Sequence, residues 1–329
     1  AYTEMFWLIS DEIDLPADAD LTWKPPAWDK QYIHGWPCNT SGGDRIAGAT
    51  GAWLIPRRIT ITDEVLSSIK LCDDWVGTAR PFDVFFVSYH ETNADVNFKY
   101  LHDNVAHAKR VDGVKGINNA HKRCAELSTT SMFYTVDADT TVDGAWDFSF
   151  VPPMYDRHYL HLWYSRNPVN GLEYGWGGIK LWPRSAVMDF NKTWLDFTTT
   201  VGNIKMMPEV ISTSQFNSDA ISSWRSGFRE AVKLVENVRS GDHMESLDRL
   251  CVWLNVANDV AFANDCRAGA RAGMELAIST NDKNRRASLQ VINDFDSLYR
   301  LHYSDEIPRC RIMDRREVLD MIIDGLANV

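Results

Sequence analysis

The chain has no apolar run approaching the roughly 18 residues needed to span a bilayer. Its opening segment, AYTEMFWLISDEIDL, is apolar only briefly and carries acids early, unlike a secretory leader, so a cytoplasmic location is expected. Zinc-type and disulfide-type cysteine spacing is missing as well. Cys38, Cys72, Cys124, Cys251, Cys266 and Cys310 are scattered, with no CxxC pair, and read as free buried thiols in a reducing compartment. A basic excess is absent: 34 Lys and Arg against 45 Asp and Glu leave a formal net charge of −11. Proteins that grip a polyanion usually carry a basic surface, so this balance argues against strong, unassisted nucleic-acid binding, although a local basic patch can sit on an acidic protein. There is no internal repeat and no low-complexity tail.

What is present suits a globular enzyme or binding protein. The 329 residues are enough for one large domain or two smaller ones, and 45% are hydrophobic and 24% charged. The thirteen tryptophans serve as core packing or as platforms for a ring-shaped ligand such as a sugar or a base.

Residues 1–78 open with a strand, MFWLI, and continue through a Trp/Pro-rich, turn-rich stretch to a predicted helix over 61–78, with Thr62 as N-cap and Glu64 in its first turn. FDVFFVSY (82–89) is a continuous apolar, β-prone run of the kind found in buried parallel strands. A helix (96–107), a short strand (108–113), a helix (117–129) and the strand MFYTV follow. That order predicts a doubly wound α/β core over 79–210, with ligands at the strand C-termini. DFSFVPP, HYLHLWYSR and IKLWPR read as further strands of a mixed sheet, with the glycine-rich loop GLEYGWGG between the last two. Residues 211–329 become helix-dominated, with one strong helix between Asp219 and Gly241.

The chemistry concentrates where MFYTV ends in Asp137-Ala138-Asp139. Alternate strand residues point to one face, so the two carboxylates aim alike while Ala138 points away. Two hard oxygen donors at a sheet edge suit Mg²⁺ or Mn²⁺, which are usually held by one or two carboxylates plus substrate phosphates. Two aspartates are also what a plain strand exit contains, so the wider pattern matters.

That pattern resembles the nucleotide-sugar half of the family-2-type glycosyltransferases of the GT-A fold. Ser88-Tyr89-His90-Glu91 stands where those enzymes end their first strand. Gly113-Val114-Lys115-Gly116 and Asn118-Asn119 stand at their glycine turn and early-Asn helix, and Asp137-Ala138-Asp139 at their DxD. From residue 82 to about 235 the chain also resembles a group of tailed-bacteriophage proteins described as GT-A-type glycosyltransferases. Some of those are thought to glycosylate hydroxymethylated cytosines in phage DNA.

The resemblance implies a GT-A-like α/β fold, a nucleotide-diphosphate sugar as donor (a uridine one above all) and Mn²⁺ or Mg²⁺ as cofactor. It also implies roles. Ser88, Tyr89, Glu91 and Asp112 would bind the nucleoside. Lys115 and Asn119 would flank diphosphate or ribose. Asp137 and Asp139 would take the metal, Asp139 more directly. The base that deprotonates the acceptor would be Asp219 at the start of the long helix, where the helix dipole also steadies its charge; the usual acidic pair is incomplete here, because its first member is Ser218. Glu173 in the glycine loop is the rival base.

Trp176, Arg166, Lys180 and Arg225, with Arg184 and Arg229, are the acceptor-side candidates, as a stacking ring and a basic patch. His158, His161 and His243 are candidates for a third metal ligand, and His121 is read as a helix residue facing solvent or a strand. The expected acceptor is the 5-hydroxymethyl group of a modified cytosine in duplex DNA, with the base leaving the stack. A glycan, lipid or protein acceptor stays open. So do a nucleotidyltransferase, against which SYHETNAD counts because it lacks the glycine-rich triphosphate loop, and a non-catalytic phage binding protein.

Overall fold

The computed structural model describes residues 5–25, 27, 30–60, 62, 65, 69–72, 77–175, 177–190, 198, 203–241, 244–280, 285–304 and 311–327. Within them the chain is mixed α/β, built from two sheets and a helical region. The first sheet has six strands: β1 (Met5–Ile9), β2 (Ile13–Asp14), β3 (His34–Asn39), β4 (Arg45–Pro56), β5 (Lys70–Leu71) and β6 (Gly77–Ala79). They are ordered β1-β4-β3-β6-β2, with β5 also on β3. MFWLI is the expected strand. The helix expected over 61–78 lies partly outside the described residues, but its second half is corrected: 70–71 and 77–79 are strands. Their backbones complete the ladder of β3, as Lys70 N–H donates to Ile33 C=O (3.0 Å) and Cys72 N–H to Gly35 C=O (2.9 Å).

The second sheet follows the predicted order. β7 (Asp83–Ser88), helix α1 (Ala94–Asn104), β8 (Lys109–Asp112), helix α2 (Ile117–Leu127) and β9 (Met132–Asp137) form the doubly wound unit. β7 pairs in parallel with β8 on one side and β9 on the other. The chain then adds β10 (Thr140–Val142), β11 (Leu160–Arg166), β12 (Glu173–Tyr174), β13 (Ile179–Pro183), a short helix α3 (Arg184–Met188) and β14 (Ile204–Ser214). The full order is β10-β14-β11-β13-β9-β7-β8, with β12 on β11.

Burial on both faces explains the unbroken apolar run in β7. Val84 and Phe86 pack with α1 and the six-stranded sheet, whereas Phe85 and Val87 pack with Ala120 and Cys124 of α2.

One expectation fails here, and one strand was not expected. DFSFVPP is not a strand: Phe148 has φ 60°, Pro152 and Pro153 have no N–H to donate, and the rings of Phe148 and Phe150 pack against Tyr134 and Trp163. Conversely, β14 is a full strand through residue 210, parallel to β11, with register shifts around Pro208-Glu209 and Ile211.

The remaining helices are α4 (Ala220–Ser240), α5 (Met244–Asn255), α6 (Ala263–Ser279), α7 (Arg285–Ser288), α8 (Phe295–Ser304) and α9 (Arg315–Ala327). They share a separate core around Trp224, Phe228, Trp253 and Met274. α4 and α6 approach backbone to backbone. A Cβ on Gly227 would lie 2.0 Å from Cys266 C=O, one on Gly269 1.9 Å from Trp224 C=O, and one on Gly273 2.2 Å from Phe228 C=O. The described cysteines are free thiols; Cys310 lies outside the described residues. No described helix is long and apolar enough to cross a membrane.

Candidate active site

The order β8-β7-β9 puts a topological switch point at β7, where ligands of open α/β sheets bind beyond the strand C-termini. A cavity of about 370 Å³ opens there, within the usual range of roughly 300–1,000 Å³ for small-molecule sites. Its floor is Val87 and Ser88 at the end of β7, Tyr89 and Glu91 just beyond it, and Val114–Ile117 leading into α2. Its roof is the Asn293–Asp296 stretch at the start of α8, with Arg229 of α4. The ring of Phe295 lies 6.0 Å from Tyr89 and 4.0 Å from the Arg225 guanidinium. Gly116, with φ 88°, turns the chain into α2. Such a conformation suits glycine and leaves the first N–H groups of the helix unblocked.

The acids stand beside this cavity on a backbone held from four sides. Ala138 N–H donates to Val87 C=O, Asp137 N–H to Gly178 C=O, and Gln215 N–H to Asp139 C=O, at 3.0, 3.0 and 2.5 Å. Asn97 Nδ2 donates to Ala138 C=O at 2.8 Å. β9 ends at Asp137, so Ala138 and Asp139 form the turn beyond the strand rather than continuing its alternation; Ala138 is buried and the two aspartates are half-buried. Lys180, with only 4% of its side chain exposed, donates to Asp137 Oδ2 at 2.7 Å. Burial pushes the Asp139 carboxyl up to about 6, and the negative charges of Asp137 and Glu91 push the same way against Arg225 and Lys180. Burial likewise lowers the Arg225 pKa, opposed by Glu91, Asp139 and Asp219. The half-buried carboxylates Glu91, Asp137 and Asp139, with Asp219 also facing Arg225, thus outnumber the cations Lys180 and Arg225.

Asp137 and Asp139 offer hard oxygens that could hold a divalent ion, and a cation there would offset the burial and like charge that raise the Asp139 pKa. Among the described residues, no three His, Cys, Asp or Glu side chains converge on one point, so phosphate or water oxygens would complete the shell.

The other candidates divide. Ser88 Oγ donates to Asp112 Oδ1 (2.5 Å) and accepts from Arg110 Nε (2.8 Å); Arg110 also bonds Asp95. Arg110 thus ties the Ser88–Asp112 pair to Asp95 and gave no sequence signal beyond its charge. Glu91 accepts from Tyr89 N–H (2.8 Å), which fixes the turn after β7. Lys115, largely exposed, reaches Asp296 at 3.5 Å across the cavity mouth, and Asn119 Nδ2 donates to Lys115 C=O. Asp219 is the N-cap of α4, accepting from Ser222 N–H (2.7 Å) and Ser222 Oγ (2.8 Å). Glu173 is held by two bonds from Arg166 on the exposed strand β12. Trp176 and His243 lie outside the described residues.

The five cations do not form one basic patch. Lys180, Arg225 and Arg229 turn to the acids or the cavity. Arg166 is spent on Glu173, and Arg184 donates to Ala125 C=O at the opposite end of β13. His158 is exposed, and His161 is buried inside the sheet, level with Leu181. Burial drives the His161 pKa down to about 4. His121 is buried rather than solvent-facing, with Nδ1 2.8 Å from Ile117 C=O and its ring against Trp182.

Compared with known proteins, the chain matches no family model and no curated protein.

Proposed function

We propose that the chain transfers a sugar from a nucleotide-diphosphate donor to an acceptor hydroxyl, with Mn²⁺ or Mg²⁺ on Asp137 and Asp139. The observation that carries this reading is the meeting, at one switch point, of the partly apolar cavity under Phe295 with the carboxylate pair and its two buried cations. Ser88, Tyr89 and Glu91 would line the nucleoside, and the N–H groups after Gly116 with Lys115 would face phosphate oxygens. Lys180 and Arg225 would stabilise charge on the leaving diphosphate without reorganising. The ion, when bound, supplies Lewis-acid neutralisation of that diphosphate. The β8-β7-β9 order and the acids at the end of β9 are compatible with the GT-A frame that the sequence resembles.

The resemblance also makes the hydroxymethyl group of a modified cytosine the first acceptor to present. A glycan acceptor is favoured by a different observation, that the five candidate cations do not share one patch on a chain of net charge −11.

The test is thermal melting with a nucleotide panel, with and without Mn²⁺. A ligand at 100 times its Kd adds roughly 2.7 kcal/mol. A shift with a nucleoside diphosphate that requires the metal supports the reading. No shift with any nucleotide would sink it.

A further inference from the structure

Away from the acids, a second cavity of about 420 Å³ lies between the six-stranded sheet and β11 and β14 of the large sheet. Its walls carry Trp146, Phe150 and Trp163, with Asp44 and Glu209 at the rim. The three rings form one cluster, Trp163 lying 5.1 Å from Trp146 and 5.4 Å from Phe150. The Trp146 indole N–H is buried and finds no acceptor among the described residues. Asp44 and Glu209 are exposed, and neither carboxylate is paired with a cation among the described residues. Glu209 is presented by the register shift of β14, and such bulges re-aim side chains beside sites.

We infer that this cavity is a binding site for a neutral saccharide unit. Indole and phenyl faces are electron-rich and receive the C–H face of a pyranose. Carboxylates are pure acceptors for pairs of ring hydroxyls. A nucleic acid would bring phosphates toward two unpaired carboxylates, with no cation on the cavity wall to receive them.

β14 links this cavity to the candidate active site. Glu209 is at the cavity and Gln215 bonds Asp139. The six residue steps from one to the other cover about 20 Å of extended chain. A third cavity of about 300 Å³, lined by Asp143, Arg166, Ser212 and Gln215, lies along the same stretch. If the proposed transfer reaction holds, the aromatic cavity would hold a distal unit of an oligosaccharide acceptor. The binding itself does not depend on that reaction.

The test titrates the full chain with neutral oligosaccharides (gluco-, manno-, galacto- and N-acetylglucosamine series), following indole fluorescence and saturation-transfer NMR. Duplex DNA carrying hydroxymethylcytosine is titrated in parallel. At least one saccharide series is expected to bind saturably. Trp146→Phe and the pair Asp44→Asn with Glu209→Gln should each weaken that binding tenfold or more. The surface pair is included because it leaves the core intact. The nucleotide and Mn²⁺ melting shift should survive in these variants, while Asp139→Asn should lose that shift and keep saccharide binding. The inference is overturned by the absence of binding in every series, by binding that ignores all three substitutions, or by DNA protecting Trp146 where saccharides do not.

Discussion

Replacing Asp139 by Asn removes the carboxylate that the folded chain holds most uncomfortably. Its pKa rises from an ordinary 3.8 to about 6, and each unit corresponds to 1.36 kcal/mol. About two units give roughly 3 kcal/mol, reduced to about 2 kcal/mol because the side chain is only partly shielded from water. The sign follows from proton counts. Between pH 3.8 and about 6 the folded state binds more protons than the unfolded state, so stability falls as pH rises through that window. The stabilisation of the protonated form is fully present below the lower value and lost above the higher one. Asn mimics the protonated form. With an unfolding entropy near 2.1 cal/mol/K per residue, about 2 kcal/mol corresponds to a Tm rise of roughly 3 °C at pH 7.5. The gain should shrink to a few tenths of a kcal/mol at about pH 3.5, where the wild-type carboxyl is mostly protonated in both states.

Mn²⁺ should stabilise the wild type and leave Asp139→Asn unmoved. The assay is calorimetric melting of both proteins across pH, with and without Mn²⁺. A variant that melts lower than wild type at pH 7.5, or with the same offset at pH 3.5, would refute the electrostatic account of this site.

The remaining predictions concern its supports. Lys180→Met should cost roughly 2–4 kcal/mol, because it strands a partly buried carboxylate beside another; Mn²⁺ should recover part of the lost Tm. Asp219→Asn keeps an N-cap and should leave Tm within about 0.5 kcal/mol of wild type, whereas Asp219→Ala should cost about 1 kcal/mol. Sugar transfer separates the roles: loss of turnover in the Asn variant makes Asp219 the base, and retained turnover leaves it as a cap. Gly269→Ala drives a methyl into the Trp224 carbonyl and should cost about 3 kcal/mol by urea denaturation.

The doubly wound core was legible because each of its strands announces itself. FDVFFV is apolar on every residue because both faces are buried, and the acids stop MFYTV at the sheet edge. β14 was not legible: Pro208, Glu209 and two register shifts break any alternation in IKMMPEVISTS. Beyond β1 the six-stranded sheet was opaque because β2, β5 and β6 have only two or three residues, and β3 and β6 pair across nearly forty residues of chain. At the site, Asp137 and Asp139 could be marked from their place at a strand end, and Glu91 only from the resemblance. Lys180 was picked for its charge, yet it is a buried counter-ion in the middle of β13, a role that only the register of β13 on β9 reveals. Phe295 gave no signal at all, since a lone Phe opening a late helix reads as core.

The roof over the first cavity has a consequence for how the chain is made. Lys115 and Asp296, which face each other across the cavity mouth, are 181 residues apart in sequence. During synthesis the α/β unit emerges first and can fold as a unit, but it carries an unroofed cleft until α8 has left the ribosome and docked. A nucleotide-capture assay on stalled nascent chains would turn positive only late, after the α/β unit already resists protease. Binding competence would then be a property of the finished chain rather than of the segment that bears the acids.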